Sequence, residues 1–109
     1  MKFDDLKLVL GQIGVDVDGL MPRAPNQVQI PCPLAEWLHK SGTDSHPSLS
    51  IRFDVAHEWT KFKCWTCKEQ GKIWNLVDSY GELAKDDKAK DLALKLIEGD
   101  KPSLSARFG

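Results

Sequence analysis

No stretch of this 109-residue sequence approaches the roughly 18 consecutive apolar residues that a membrane-spanning helix needs. We therefore expect no membrane partner. Net charge is nearly absent too: 15 basic side chains stand against 16 acidic ones, a formal charge of -1, which excludes a nucleic-acid binder that works through bulk charge. Any such binding has to be local. The sequence lacks a glycine-rich phosphate loop ending in Lys-Ser/Thr, and it shows no nucleophile-base-acid triad. Asp16-Val17-Asp18 has no acidic partner motif and reads as a solvated loop, so we expect no catalytic residues in this chain. Met1-Lys2-Phe3-Asp4-Asp5 does not open a secretory leader, which makes the expected location cytoplasmic, with reduced thiols. Cysteine is scarce, and its count of three is odd, so the thiols cannot all close into intramolecular disulfides.

Leu6, Val9, Leu10 and Ile13 recur at helical spacing behind Asp4 and Asp5, and Gly14 supplies a stop. A loop follows from Val15 to Asn26, then a strand from Gln27 to Pro31. Leu34 to His39 has room for a helical turn, and Ser41-Gly42-Thr43-Asp44 reads as a turn-rich insertion to whose own small cluster Trp37 is assigned. Leu49, Ile51 and Phe53 alternate with Ser48, Ser50 and Arg52, as in a half-buried strand. The hairpin partner is Trp59 to Trp65, with Thr60, Phe62 and Cys64 on one face and Trp59, Lys61, Lys63 and Trp65 on the other. After Gly71 the period becomes 3.6. Ile73, Leu76, Val77, Tyr80, Leu83 and Ala84 line one helix, and Ala89, Leu92, Ala93, Leu96 and Ile97 a second, stopped by Gly99 and Pro102. The expected class is α+β: a small antiparallel sheet flanked by an N-terminal helix and two C-terminal helices, one domain over 1–101 with a loose tail at 102–109.

The three cysteines carry the chemistry. Cys64 and Cys67 form a C-x2-C pair at the end of a strand, a spacing that lets two sulfurs reach one tetrahedral ion. The same spacing serves thiol redox sites, but those open a helix within a strand-helix-strand unit, so a hairpin context favours zinc. Cys32 supplies a third sulfur, and a neutral imidazole completes a Cys3His set. Three histidines compete for that place. His39 follows Cys32 as C-x6-H and ranks first; His46, held extended by Pro47, ranks second; His57 sits in the hairpin turn, remote from the cysteines. One structural Zn2+ is expected.

Cys32-Pro33, His39, Pro47-Ser48-Leu49, Phe62-Lys63-Cys64-Trp65-Thr66-Cys67, Gly71 and Ile73-Trp74-Asn75-Leu76-Val77 follow one another in an order that resembles the zinc-binding domain of bacterial and phage DNA primases, the CHC2-type zinc finger. The resemblance covers Cys32 to Val77. It implies a zinc ribbon with zinc knuckles, Cys32, His39, Cys64 and Cys67 as metal ligands, and template recognition in DNA replication, with primer synthesis by a catalytic domain that this chain is too short to contain. Two departures stand out. The family's first half-site is C-x2-H, shorter than here, and its second knuckle continues with Gly where this chain has Lys68. A left-handed turn at that place costs a side chain.

A binding surface can be read from the residues independently. Trp59, Lys61, Lys63 and Trp65 share the outer strand face, with Arg52, Ser48 and Ser50 beside them and Lys68 and Lys72 beyond the knuckle. Aromatic platforms with cations are what single-stranded DNA requires. Residues 58–72 hold four lysines against two acids, so binding is expected to be weak and salt-sensitive. The expected partners are single-stranded DNA and a primase catalytic domain or helicase. A zinc-ribbon adaptor docking on a replication or transcription protein is the alternative. Packing against the core competes with a binding role for Trp59, Trp65 and above all Trp74.

Overall fold

The structure, a computed structural model, describes residues 1–42 and 47–98. The expected helix stop at Gly99 and Pro102, the tail, and the turn at Thr43-Asp44 lie outside them. In chain order the elements are α1 (Phe3–Gln12), β1 (Gln27–Ile30), α2 (Ala35–Leu38), β2 (Leu49–Arg52), β3 (Lys61–Cys64), β4 (Gln70–Lys72), α3 (Ile73–Ala84) and α4 (Asp87–Glu98). Strands β1 to β4 form one antiparallel sheet in sequence order. The fold is α+β, with strands short enough that the face each side chain takes decides everything about the site.

Helix α1 buries Leu6, Val9 and Leu10, one stripe of its surface. It ends where Val15 donates its N–H to the Leu10 carbonyl and Gly14 to that of Gly11, with Gly14 at φ 80°, a left-handed turn that a Cβ would strain. In the sheet, Leu49 faces Cys64 and Ile51 faces Phe62 and Val28, so the residues of the inner face meet across strands. Val28, Ile30, Leu49, Ile51, Phe53 and Phe62 join the apolar stripes of the helices in one buried core. Each fully buried aliphatic side chain there contributes about 1.5–3 kcal/mol.

Helix α4 packs against both α1 and α3, and its burial is narrower than its sequence pattern suggests. Ala89, Ala93 and Ile97 are buried, whereas Leu92 and Leu96 remain 41% and 37% exposed. The seam at i, i+4, i+8 consists mainly of alanines because the helices come close: a Cβ on Gly81 of α3 would lie 2.8 Å from the Lys90 Cβ. Asp86 caps α4 by accepting the Ala89 N–H at 3.1 Å. Asp16 and Asp18 are exposed, and the Asp16 carboxylate accepts the Asp18 N–H at 3.0 Å. Trp37 leaves its own segment and lies edge-on against Tyr80 of α3, ring centroids 6.0 Å apart. Among the described residues no helix is long and apolar enough to cross a membrane.

Strand β4 has no counterpart in the sequence reading. Gln70-Gly71-Lys72 has no apolar alternation to announce it. It forms because the turn after Cys67 folds the chain back, with the Cys64 N–H reaching the Glu69 carbonyl at 2.8 Å, and β3 offers an open edge. Gly71 is required there, since a Cβ would meet Asn75 Oδ1 at 2.8 Å, the atom that accepts the Lys72 N–H at the start of α3.

Candidate metal centre and sheet surface

Cys32 leaves β1 and accepts the Ala35 N–H through its carbonyl, so that α2 begins at once. Helix α2 is a single turn, and His39 closes it by donating its N–H to the Ala35 carbonyl. That turn takes up the six residues between Cys32 and His39 and carries the imidazole back toward the sulfur. Cys64 ends β3, and Cys67 sits on the turn to β4. The four ligand atoms of Cys32, His39, Cys64 and Cys67 all lie within 4.8 Å of one another. His57 does not join them, and His46 lies outside the described residues.

Ligands about 2.3 Å from one tetrahedral ion stand about 3.8 Å apart. The Cys32 and Cys67 sulfurs are 4.0 Å apart, and Cys64 Sγ lies 3.3 Å from His39 Nε2. The donor set is therefore consistent with a single metal ion. Cys32, His39 and Cys64 are buried and Cys67 half-buried, which leaves little access for water. The thiols differ sharply. Burial pushes the Cys32 thiol well above its usual range, against the backbone N–H of Leu34, with the neighbouring Cys64 and Cys67 adding to the rise. Burial opposes ionisation of Cys64 as well, yet the Ser48 hydroxyl and the N–H groups of Cys67 and Thr66 outweigh it and lower that thiol to about 6. Burial raises Cys67, against the Glu69 N–H. The Ser48 hydroxyl lies 3.4 Å from Cys64 Sγ. Ser48 was expected on the outer face with Ser50; it precedes the first paired residue of β2, and its hydroxyl meets the buried sulfur instead.

The outer face of the sheet is a shallow basin of about 700 Å3. Arg52, Lys61, Lys63 and Lys72 line it together with Trp65, and among the described lining residues there is no acid. Glu58, in the β2–β3 connection, pairs with Arg52 at 3.5 Å and with Lys61 at 3.2 Å from outside. Trp65 is 54% exposed, and the Lys63 ammonium lies 4.2 Å from its ring centroid. Five of the seven expected DNA-contacting residues thus share one surface. Lys68 is exposed on the knuckle, outside the basin. Trp59 is half-buried with its ring 4.9 Å from that of Trp74 in an edge-on pair, so it too lies away from the basin. Sequence reasoning did not single out Gln27 and Gln70, which also line the basin. Alternation places Gln27 beside Arg52 only once the register of β1 on β2 is known, and Gln70 belongs to the unannounced strand.

Compared with protein families, curated proteins and solved structures, the chain matches none.

Proposed function

We propose that this chain is a zinc ribbon that binds single-stranded DNA as template in primer synthesis, with polymerisation carried out by a separate catalytic domain. The observation that carries the binding reading is the basic, aromatic basin on the outer sheet face, directly beside the Cys3His cluster. Zinc held by Cys32, His39, Cys64 and Cys67 would fix β1, β3 and the knuckle against one another and so hold the basin's strands in register. Three thiolates, a neutral imidazole and Zn2+ sum to -1, so the metal does not attract phosphate; the basin's own cations do. The role in primer synthesis rests on the resemblance of Cys32 to Val77 to primase zinc-binding domains.

Trp65 offers an exposed ring on which a base can stack, worth about 1–3 kcal/mol. Four basin cations bound the salt dependence: the slope of log K against log salt should be no steeper than about -3. Titration of short oligonucleotides against the zinc-loaded chain, followed by tryptophan fluorescence, tests this reading. Trp65→Ala should weaken binding about tenfold, and Lys61→Glu and Lys63→Glu should each weaken it with a shallower salt slope. Unchanged affinity in all three variants removes this surface as the binding site. A second reading, an adaptor docking on a replication protein, is favoured by Leu92 and Leu96, which α4 leaves exposed away from its buried seam. In that case the isolated chain ignores oligonucleotides.

A further inference from the structure

Arg52, Lys61 and Lys72 stand opposite one another on β2, β3 and β4, a row of cations on adjacent strands about 4.8 Å apart. The row is not open along its whole length. From the β2–β3 connection the Glu58 carboxylate reaches two of its members, with Oε2 3.5 Å from Arg52 Nη2 and Oε1 3.2 Å from Lys61 Nζ. One oxygen serves each cation, as two oxygens of a phosphate would. Among the described residues no carboxylate pairs with Lys63 or Lys72.

The backbone keeps Glu58 in that place. The connection turns through left-handed residues at Asp54 and His57, φ 55° and 63°, and the Glu58 N–H donates to the Val55 carbonyl at 3.1 Å. Its start is anchored twice more: the Asp54 carboxylate pairs with Lys2 at 3.2 Å, and the Asp54 carbonyl accepts from Asn26 Nδ2 at 2.9 Å. A turn tied down at these points holds the carboxylate over the two cations. We infer that Glu58 is an internal competitor for phosphate: its carboxylate occupies the Arg52–Lys61 part of the row in the free chain, and a bound strand has to displace it.

This inference rests on the proposed binding of single-stranded DNA. The test measures the affinity of the zinc-loaded chain for a labelled oligothymidylate by fluorescence anisotropy over a range of salt, and compares Glu58→Gln with Glu69→Gln. Glu69 is exposed next to Gln70 and pairs with no cation among the described residues, so both variants remove one negative charge beside the basin. Glu58→Gln should tighten binding about threefold or more and steepen the slope of log K against log salt, because two ion pairs no longer have to break. Glu69→Gln should change the affinity less than about 1.5-fold. With Arg52→Gln also present, the gain from Glu58→Gln should shrink, since one of its two pairs is gone. Equal tightening by both variants, a gain that persists in full without Arg52, or unchanged or weaker binding by Glu58→Gln overturns the role of Glu58 and leaves the binding reading intact. No binding by the unmodified chain or by any variant overturns both.

Discussion

Lys68 adopts φ 67° directly after the last cysteine of the knuckle. From the side-chain cost of a left-handed turn at Lys68 a differently shaped knuckle was expected; the turn is present all the same, with a lysine in it. A side chain there costs about 1–2 kcal/mol, and a glycine returns part of that through the freedom it adds to the unfolded chain. Lys68→Gly should raise the stability of the metal-loaded chain by about 0.5–1 kcal/mol, read as a shift in urea midpoint. An unchanged or lower midpoint removes strain at Lys68 as an explanation. His39 is buried beside Cys64, so His39→Ala should release zinc to a chelator far faster than His46→Ala. The reverse order would transfer the ligand role to His46. The C-x6-H spacing was legible in the sequence; the turn of α2 that makes it short enough in space was not, because four residues carry too little periodicity to mark a helix.

At the scale of elements, α3 and α4 meet through small residues. Gly81→Ala gains about 1 kcal/mol of helix propensity but places a methyl 2.8 Å from Lys90 Cβ, an atom fixed by the backbone of α4. Overpacking of that kind costs about 1–3 kcal/mol, so the net effect should be a loss of up to about 2 kcal/mol. Thermal denaturation with and without zinc checks it; a stabilised variant would show that the two helices can separate freely. Both helices were legible from their apolar stripes, yet the stripe of α4 misleads about burial. Leu92 and Leu96 fit the pattern and lie outside, because neighbours on two sides accept a seam centred on Ala89 and Ala93. The strands β2 and β3 show the opposite case: Leu49, Ile51, Phe62 and Cys64 alternate in the sequence and are all buried in the sheet.

For the whole molecule, the four candidate ligands come from separate parts of the chain. Cys32, His39 and the Cys64–Cys67 knuckle are held near one another by β1, α2 and β3, so on the proposed reading zinc would stabilise the fold and a strong chelator should unfold it. Circular dichroism during chelation reads this directly, and retained helix and sheet signal after complete zinc removal would separate folding from the metal. Proton release gives a second measure. A zinc-free chain that unfolds carries its thiols at their ordinary value of about 8.5, so at pH 7.5 all three are mostly protonated and zinc binding should release about three protons, measured by calorimetry in buffers of different ionisation heat. Release of about two would mean that the zinc-free chain stays folded, with Cys64 ionised at its lowered value of about 6 and Cys32 and Cys67, raised by burial, protonated.

The sequence by itself determined the α+β class, the two long helices, the paired strands β2 and β3 and the Cys64–Cys67 pair, because each rests on periodicity or spacing within a short segment; for the imidazole it ranked His39 ahead of His46 without deciding. Tertiary structure decided what depends on distant segments meeting. It brought Cys32 within 4.0 Å of Cys67, turned Ser48 toward Cys64, and set Trp59 against Trp74 while Trp65 stayed open. It also added β4, which places Gln70 and Lys72 on the basin. Charge balance along the chain is close to neutral, and only the register of four short strands gathers Arg52, Lys61, Lys63 and Lys72 on one face.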